Sequence, residues 1–423
     1  MRKLCEITVV GAGIGGLAAA IRLAAVGHNV TVLEIADGPG GKIRTRPSPA
    51  GPIDIGPTVF TMRWVFEDLF RTARTALQDH LTLAADPILA RHWWPDGSSL
   101  DLFADPAQSA QAVGAFAGAK AEQQFRAFSN HTRRLFETFQ NPMMETGHPN
   151  SLDLAKAALS APQTLLDLIP GKTLARALRQ SFDDPRLQQL FGRYATYVGG
   201  SPFASPALLS LIAHSEALGV WSVQGGMYKL AVALEQVAKS LGVTFRYRCN
   251  VQQVSVDDGH ATGVLTADGY QPADCVVFNG DPSALTQGIL GKSCRPAVAS
   301  SQVHPRSLSA WVWGFSAKPN GPDLSHHNVF FGSDPKQEFG PIAQGDMPAD
   351  PTLYICAQDR AAGSASKPDQ ERFEIIMNGA PTQDSHPRPE DQAQCQIRVF
   401  QTLAQFGLTF DPAPTLRMLT TPA

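Results

Sequence analysis

The chain has 423 residues, 43% of them apolar and 17% charged, with a formal net charge of −3. So few charges on so long a chain exclude intrinsic disorder, which needs high net charge and little to bury. A length prior of about 150 residues per domain gives two or three domains, and the near-neutral balance offers no basic field for DNA or RNA.

From the N-terminus, Ile7, Thr8, Val9 and Val10 predict a short buried parallel strand. A glycine turn follows, then an Ala/Leu-rich helix over Leu17–Ala25 and a second strand over Val30–Leu33, closing on Glu34. That is one βαβ unit in about 30 residues. Residues 37–58 read as a Gly/Pro-rich ordered loop. From about 60 to 220 helical patterns dominate, broken by prolines. One hairpin interrupts them, Arg91–Trp94 and Ser99–Phe103 around Pro95-Asp96-Gly97. A helix is predicted over 227–241, then strands at Val243–Tyr247, Val251–Val256, Ala261–Thr266 and Cys275–Asn279. Residues 308–316 and 352–358 read as strands, and 359–391 as polar loop except Phe373–Met377. The α/β texture thus returns near residue 225. This predicts a discontinuous nucleotide domain interrupted by a helical insertion.

Six cysteines form no Cys-x-x-Cys pair, and no histidine pair has zinc spacing. Neither a metal site nor a disulfide framework is expected, and a reducing compartment fits. Arg2 and Lys3 before an apolar stretch imitate a signal peptide, but Glu6 and four glycines break its apolar core. No run reaches the roughly 18 apolar residues of a membrane span, so a soluble or peripheral protein is expected.

Gly11-Ala12-Gly13-Ile14-Gly15-Gly16 supplies G-x-G-x-x-G between strand and helix, with Glu34 ending the next strand. These are the contexts that give the motif meaning. Gly11 permits the tight turn, Gly13 the approach of a pyrophosphate, and Gly16 close helix–strand packing. The helix N-terminus presents N–H groups to phosphate, and Glu34 can accept both ribose hydroxyls. The alternative is a glycine-rich packing turn. Next comes Gly38-Pro39-Gly40-Gly41-Lys42-Ile43-Arg44-Thr45, where Lys42 and Arg44 can face the pyrophosphate or simply be solvated.

At this point the sequence resembles the phytoene desaturase and amine oxidase superfamily. The resemblance rests on the glycine fingerprint, the strand-end acid, Gly-Gly-Lys-x-Arg-Thr and Asp54-Ile55-Gly56-Pro57-Thr58. Gly225-Gly226-Met227, Val251-Gln252-Gln253-Val254 and the stretch from Ala273 to Asp281 extend it. Further segments (56–70, 91–105, 190–207, 219–234 and 350–360) are similar to the hydroxycarotenoid 3,4-desaturases, also called methoxyneurosporene desaturases. The resemblance covers essentially the whole chain. It implies an α/β fold: an FAD-binding Rossmann-type, glutathione reductase-like domain (1–75 plus 220–300) with an inserted α+β substrate domain (76–219 plus 301–415). It implies FAD held by Gly11, Gly13, Gly15, Gly16, Glu34, Gly41, Lys42, Arg44, Gly56, Pro57, Thr58, Val251 and Asp281. The family's C-terminal flavin-contacting turn is not found before Ala423, so a C-terminally shortened member with weakened FAD binding and activity is expected.

The implied reaction is removal of two hydrogens from adjacent carbons, giving a 3,4 double bond in a 1-hydroxy or 1-methoxy acyclic carotenoid. The hard chemistry then belongs to the flavin. The residues show no triad, paired carboxylates or metal cluster, so no catalytic residue is assigned. Arg193, Tyr194, Tyr197 and Trp221 are the candidate substrate-cleft residues, with core packing as the alternative for the aromatics. His92, His214, His326 and His327 are read as packed or solvated. Residues 152–181 set leucines beside Lys156, Lys172, Arg176 and Arg179, a composition that suits an interfacial helix. The substrate class implies a cytoplasmic protein peripherally attached to the inner membrane. The electron acceptor stays open between oxygen and a quinone. The alternatives carried are another flavin amine or porphyrinogen oxidase and a non-catalytic prenyl or carotenoid carrier.

Overall fold

The β-branched N-terminal run forms a strand, Glu6–Val10, whose central residues are buried. The computed structural model describes residues 4–147, 150–161, 171–364, 368–382 and 388–422. They divide into two compact units. One gathers Met1–Pro47, Asp54–Ala84 and Ser222–Arg306; the other gathers Ser48–Ile53, Ala85–Trp221 and Ser307–Ala423.

In the first unit four parallel strands lie in the order Cys275–Phe278, Glu6–Val10, Asn29–Leu33, Thr244–Arg246. Ile7 pairs with Val30 on one side and Cys275 on the other. Strand Cys275–Phe278 therefore docks beside the N-terminal strand from some 270 residues away, because both flanks of a buried parallel strand need hydrogen-bond partners. The helix Ile14–Ala25 buries Gly16, Leu17, Ala20 and Ile21. It packs against the helix Tyr228–Ser240, which buries Leu230, Ala231, Leu234 and Val237. Three antiparallel strands, Val251–Asp257, His260–Thr266 and Gly269–Pro272, complete the unit. The first hairpin turns on Asp258 and Gly259, both at positive φ, as a two-residue turn with right-handed twist requires.

The second unit combines helices with an eight-stranded sheet. Helix starts follow local chemistry: the Asp105 carboxylate accepts from Ala107 N ahead of Pro106–Ala117, and Asp184 accepts from Arg186 N ahead of Pro185–Gly192. The sheet places Ser309–Asn320 against Glu371–Gly379, then Leu353–Ala357, His327–Phe330, Ile88–Trp93 and Ser99–Phe103. Trp313, Phe315, Phe373, Ile375 and Met377 form its core with Cys395, Val399 and Leu403. The last three lie on the helix Pro389–Gln405.

The structure extends the 359–391 loop expectation. A full strand, Glu371–Gly379, and the start of a 17-residue helix fall there. Their polar residues disguised them. The buried Glu371 carboxylate accepts from Arg360 at 2.6 and 2.9 Å, and Glu374 is fully buried in mid-strand. Of the predicted interfacial segment, helices Ser151–Ser160 and Leu174–Ser181 are described. Leu165, Leu166, Leu168 and Ile169 lie outside the described residues.

Candidate functional site

The first strand ends in a glycine turn that two contacts pin. Gly11 N donates to Leu33 O at 2.8 Å, and Ala12 N donates to Glu34 Oε2 at 2.6 Å. Glu34 is buried, and its other oxygen accepts from Ala36 N at 2.8 Å. The acid therefore ties the glycine turn to the end of the second strand, and each oxygen keeps a lone pair for a further donor. Gly11 has φ of +101°, a conformation that favours glycine. A Cβ on Gly16 would strike the carbonyl of Gly11, and one on Gly13 would sit 3.0 Å from Asn279 Nδ2. Asn279 directly follows the returning strand and donates to Gly11 O at 3.4 Å. The predicted set omits it; the Asn-Gly-Asp signal after strand Cys275–Phe278 marks its place.

The second glycine loop lies directly against the first. Gly40 N donates to Ala12 O at 2.9 Å, and a Cβ on Gly41 would meet Gly13 Cα at 3.1 Å. This brings Lys42 and Arg44, both exposed, close behind the turn in the chain. Burial, and then the like charge of Arg44, holds the Arg46 guanidinium below its ordinary range. A cluster of cations beside backbone N–H groups is suited to an anion. Gly56, at φ +129°, crosses the carbonyl of Lys42, and Thr58 is buried two residues on. The Asp54 carboxylate accepts from Met227 N and Tyr228 N at 2.7 and 3.1 Å, at the start of the helix Tyr228–Ser240. Val251 packs with Leu33 and Cys249. Asp281 pairs with Arg306 at 2.6 and 3.0 Å, and that pair holds its carboxyl well below the usual range.

The cradle fits a dinucleotide. It has a backbone-lined turn where side chains are sterically barred, an acid at the second strand end, and cations on the adjoining loop.

The second unit holds a cavity of about 260 Å³ with largely apolar walls, among them Phe203, Phe331 and Phe339. Glu338, Thr352 and Asn378 also line it. Glu338 is 2% exposed; burial pushes its carboxyl up to about 7, against hydrogen bonds from Thr352 Oγ1 at 2.7 Å and Asn378 Nδ2 at 2.8 Å. Of the four predicted cleft residues, Arg193 lines this cavity and the other three do not. Tyr194 and Tyr197 instead donate to the two oxygens of buried Glu216, at 2.8 and 2.6 Å. The Arg193 guanidinium lies 5.6 and 5.5 Å from their ring centres. Burial, then the charge of Glu216, raises the Tyr194 hydroxyl well above its usual range. Trp221 packs under Gly219, where a Cβ would come within 2.7 Å of its ring. His92 is buried and pushed down to about 3 by burial, so its neutral ring donates from Nδ1 to Leu100 O at 3.1 Å.

Residues 14–315 match the flavin containing amine oxidoreductase family. The chain belongs to that family and is a flavin-dependent oxidoreductase. Among proteins of known activity it is 54% identical to the hydroxyneurosporene desaturase of Cereibacter sphaeroides, over 100% of this chain and 85% of that protein. It is 50% identical to the hydroxyneurosporene desaturase of Rhodobacter capsulatus, again over 100% and 85%. Among solved structures, an oxidoreductase from Methanosarcina mazei superposes with a TM-score of 0.60 at 15% identity, covering 96% of this chain and 86% of that one. The last likeness is one of fold.

Proposed function

We propose that this protein is an FAD-dependent desaturase that introduces a C-3,4 double bond into 1-hydroxy or 1-methoxy acyclic carotenoids at a membrane surface. The observation that carries the reading is the whole-length likeness to two hydroxyneurosporene desaturases. Gly11, Gly13, Gly15 and Gly16 would admit the pyrophosphate, Glu34 the ribose, and Lys42 and Arg44 the phosphate charge. Gly41, Gly56, Pro57, Thr58, Val251 and Asp281 would frame the rest of the cofactor. Bound FAD supplies a hydride acceptor, which unactivated C–H bonds require. The protein's part is to hold the polyene, exclude water and orient the bond to be oxidised.

The cavity in the second unit supports an apolar chain with one polar end. Phe203, Phe331 and Phe339 suit a polyene, and the Glu338–Asn378–Thr352 group suits a terminal hydroxyl or ether oxygen. Leu152 and Leu159 are 72% and 70% exposed beside Lys156 on the helix Ser151–Ser160. Apolar residues flanked by a cation support membrane contact. No described helix is long and apolar enough to cross a bilayer.

The test is to reconstitute the purified chain with FAD and supply a 1-hydroxylated acyclic carotenoid in anionic liposomes. The expected product has one more conjugated double bond and a red-shifted spectrum, and the protein floats with the vesicles. Oxidation of amines or porphyrinogens in place of the carotenoid would overturn the reading. So would a yellow, flavin-loaded protein that leaves the polyene unchanged with oxygen and with a quinone.

A further inference from the structure

Far from the glycine turn in sequence, the eight-stranded sheet gathers a buried set of nitrogen and sulfur donors. His327 opens the strand His327–Phe330 and pairs across the ladder with Cys356 of Leu353–Ala357. Directly paired residues of an antiparallel ladder present their side chains to the same face. His326 precedes the strand, and its ring stacks on His327 with centroids 4.1 Å apart. Cys356 Sγ lies 3.4 Å from His326 Nε2. The ligating atoms of His326, His327 and Cys356 all fall within 4.8 Å of one another. His327 and Cys356 are each 1% exposed.

Two further groups sit behind these donors. Asp86 Oδ2 is 3.3 Å from His326 Nδ1, and Tyr354 Oη is 2.7 Å from His327 Nδ1. Each outer partner occupies one ring nitrogen and leaves Nε2 facing the cluster. His327 Nε2 is buried with no hydrogen-bond partner, and it stands 3.9 Å from Asp86 Oδ2. Buried polar atoms are nearly always satisfied, so an orphaned imidazole nitrogen requires an explanation.

We propose that His326 Nε2, His327 Nε2 and Cys356 Sγ bind a thiophilic divalent transition ion of the Zn²⁺ class, with Asp86 and Tyr354 orienting the two imidazoles. Thiolate and imidazole are the donors such ions prefer. A carboxylate or hydroxyl on the far ring nitrogen is the usual outer support. Bonds of about 2.0–2.3 Å set tetrahedral neighbours roughly 3.3–3.8 Å apart. The Cys356–His326 spacing already fits, and rotation of the side chains by about 1 Å closes the widest pair. Binding releases the thiol proton to solvent, since only thiolate ligates. Three protein ligands leave the fourth position to water. The ion would clip the strand pair to the segment bearing Asp86. No linear motif announces the site, because its donors come from a dipeptide and a strand 30 residues later, and its outer support from a residue 240 positions upstream.

The experiment uses the full chain, stripped with chelator, refolded and titrated with Co²⁺ alone. One Co²⁺ per chain is expected, with tetrahedral visible bands and a thiolate-to-cobalt band in the near ultraviolet. Cys356→Ser should lose the near-ultraviolet band, and His327→Gln should weaken binding by at least about tenfold. Cys275→Ser, which removes an exposed thiol, should change neither. X-ray absorption of the Zn²⁺-loaded wild-type chain needs no variant and should show one sulfur and two imidazole nitrogens. A shell without sulfur, or a thiolate band that persists in Cys356→Ser, overturns the proposal. None of these readouts depends on flavin or carotenoid.

Discussion

Glu338 shows how one residue can carry a pH signature. Its folded carboxyl is raised from 4.5 to about 7, chiefly by burial. The folded state therefore binds this proton more tightly than the unfolded chain does. Stability from this group is fully present below about pH 4.5 and is lost as pH rises through about 7, by roughly 3 kcal/mol in all. Glu338→Gln keeps an acceptor for Asn378 and gains a donor for Thr352. Its denaturation midpoint should hold steady from pH 5 to 8 while the wild type declines across that range. Equal slopes would show that Glu338 is ionised in the fold. The glycines divide in a similar way. Gly16→Ala drives a methyl into the Gly11 carbonyl and should cost about 1–3 kcal/mol of stability by overpacking. Gly13→Ala meets the side-chain amide of Asn279 at 3.0 Å and Gly41 Cα at an ordinary 4.0 Å. It should fold, yet bind FAD at least about tenfold more weakly, because its methyl would occupy the proposed path of the pyrophosphate. Equilibrium unfolding and flavin titration of the two variants separate these roles. At this scale the glycines and Glu34 were legible, since backbone sterics and a strand-end acid leave their mark in residue type. Glu216 and Glu338 were not, because nothing local marks a carboxylate whose partners lie 14 to 40 residues away.

Elements were legible where periodicity and composition agreed. The strand Glu6–Val10, the helix after it and the hairpin Ile88–Trp93 with Ser99–Phe103 all read directly. The strand Glu371–Gly379 read only over its apolar centre, because buried Glu371 and Glu374 break the pattern. That strand is nonetheless central to its sheet, with Phe373 fully buried among Phe315, Phe410 and Ile375. Phe373→Ala should lower unfolding free energy by about 3–5 kcal/mol; a loss under 1 kcal/mol would show that the cluster collapses to refill the space. At the start of the helix Tyr228–Ser240, Asp54 satisfies two backbone N–H groups from a distant segment. Replacing such a cap costs about 0.5–2 kcal/mol. Asp54→Ala should therefore unfold at lower urea, with Asp54→Asn retaining part of the loss.

At the scale of the whole molecule, ligand linkage gives the sharpest check on the nucleotide reading. A ligand that binds only the folded state at about 100 times its Kd adds about 2.7 kcal/mol. The melting temperature should rise steadily with FAD concentration and less with AMP, which offers only part of the contacts. A melting temperature indifferent to FAD would remove the basis for a flavin site built on Glu34 and the two glycine loops. The eight-stranded sheet was beyond sequence reading for a topological reason. It pairs Ile88–Trp93 in parallel with His327–Phe330, joining segments more than 230 residues apart.

The βαβ start and the glycine turn with its acid were readable before any folding, because they rest on local sterics and on residues close together in the chain, and the family was readable from short motifs spread along it. Which aromatics meet a cavity and which serve Glu216 emerged from the folded chain alone. It alone brought His326, His327, Cys356 and Asp86 together. Those outcomes depend on strand register and long-range closure, and short-range pattern carries no record of either.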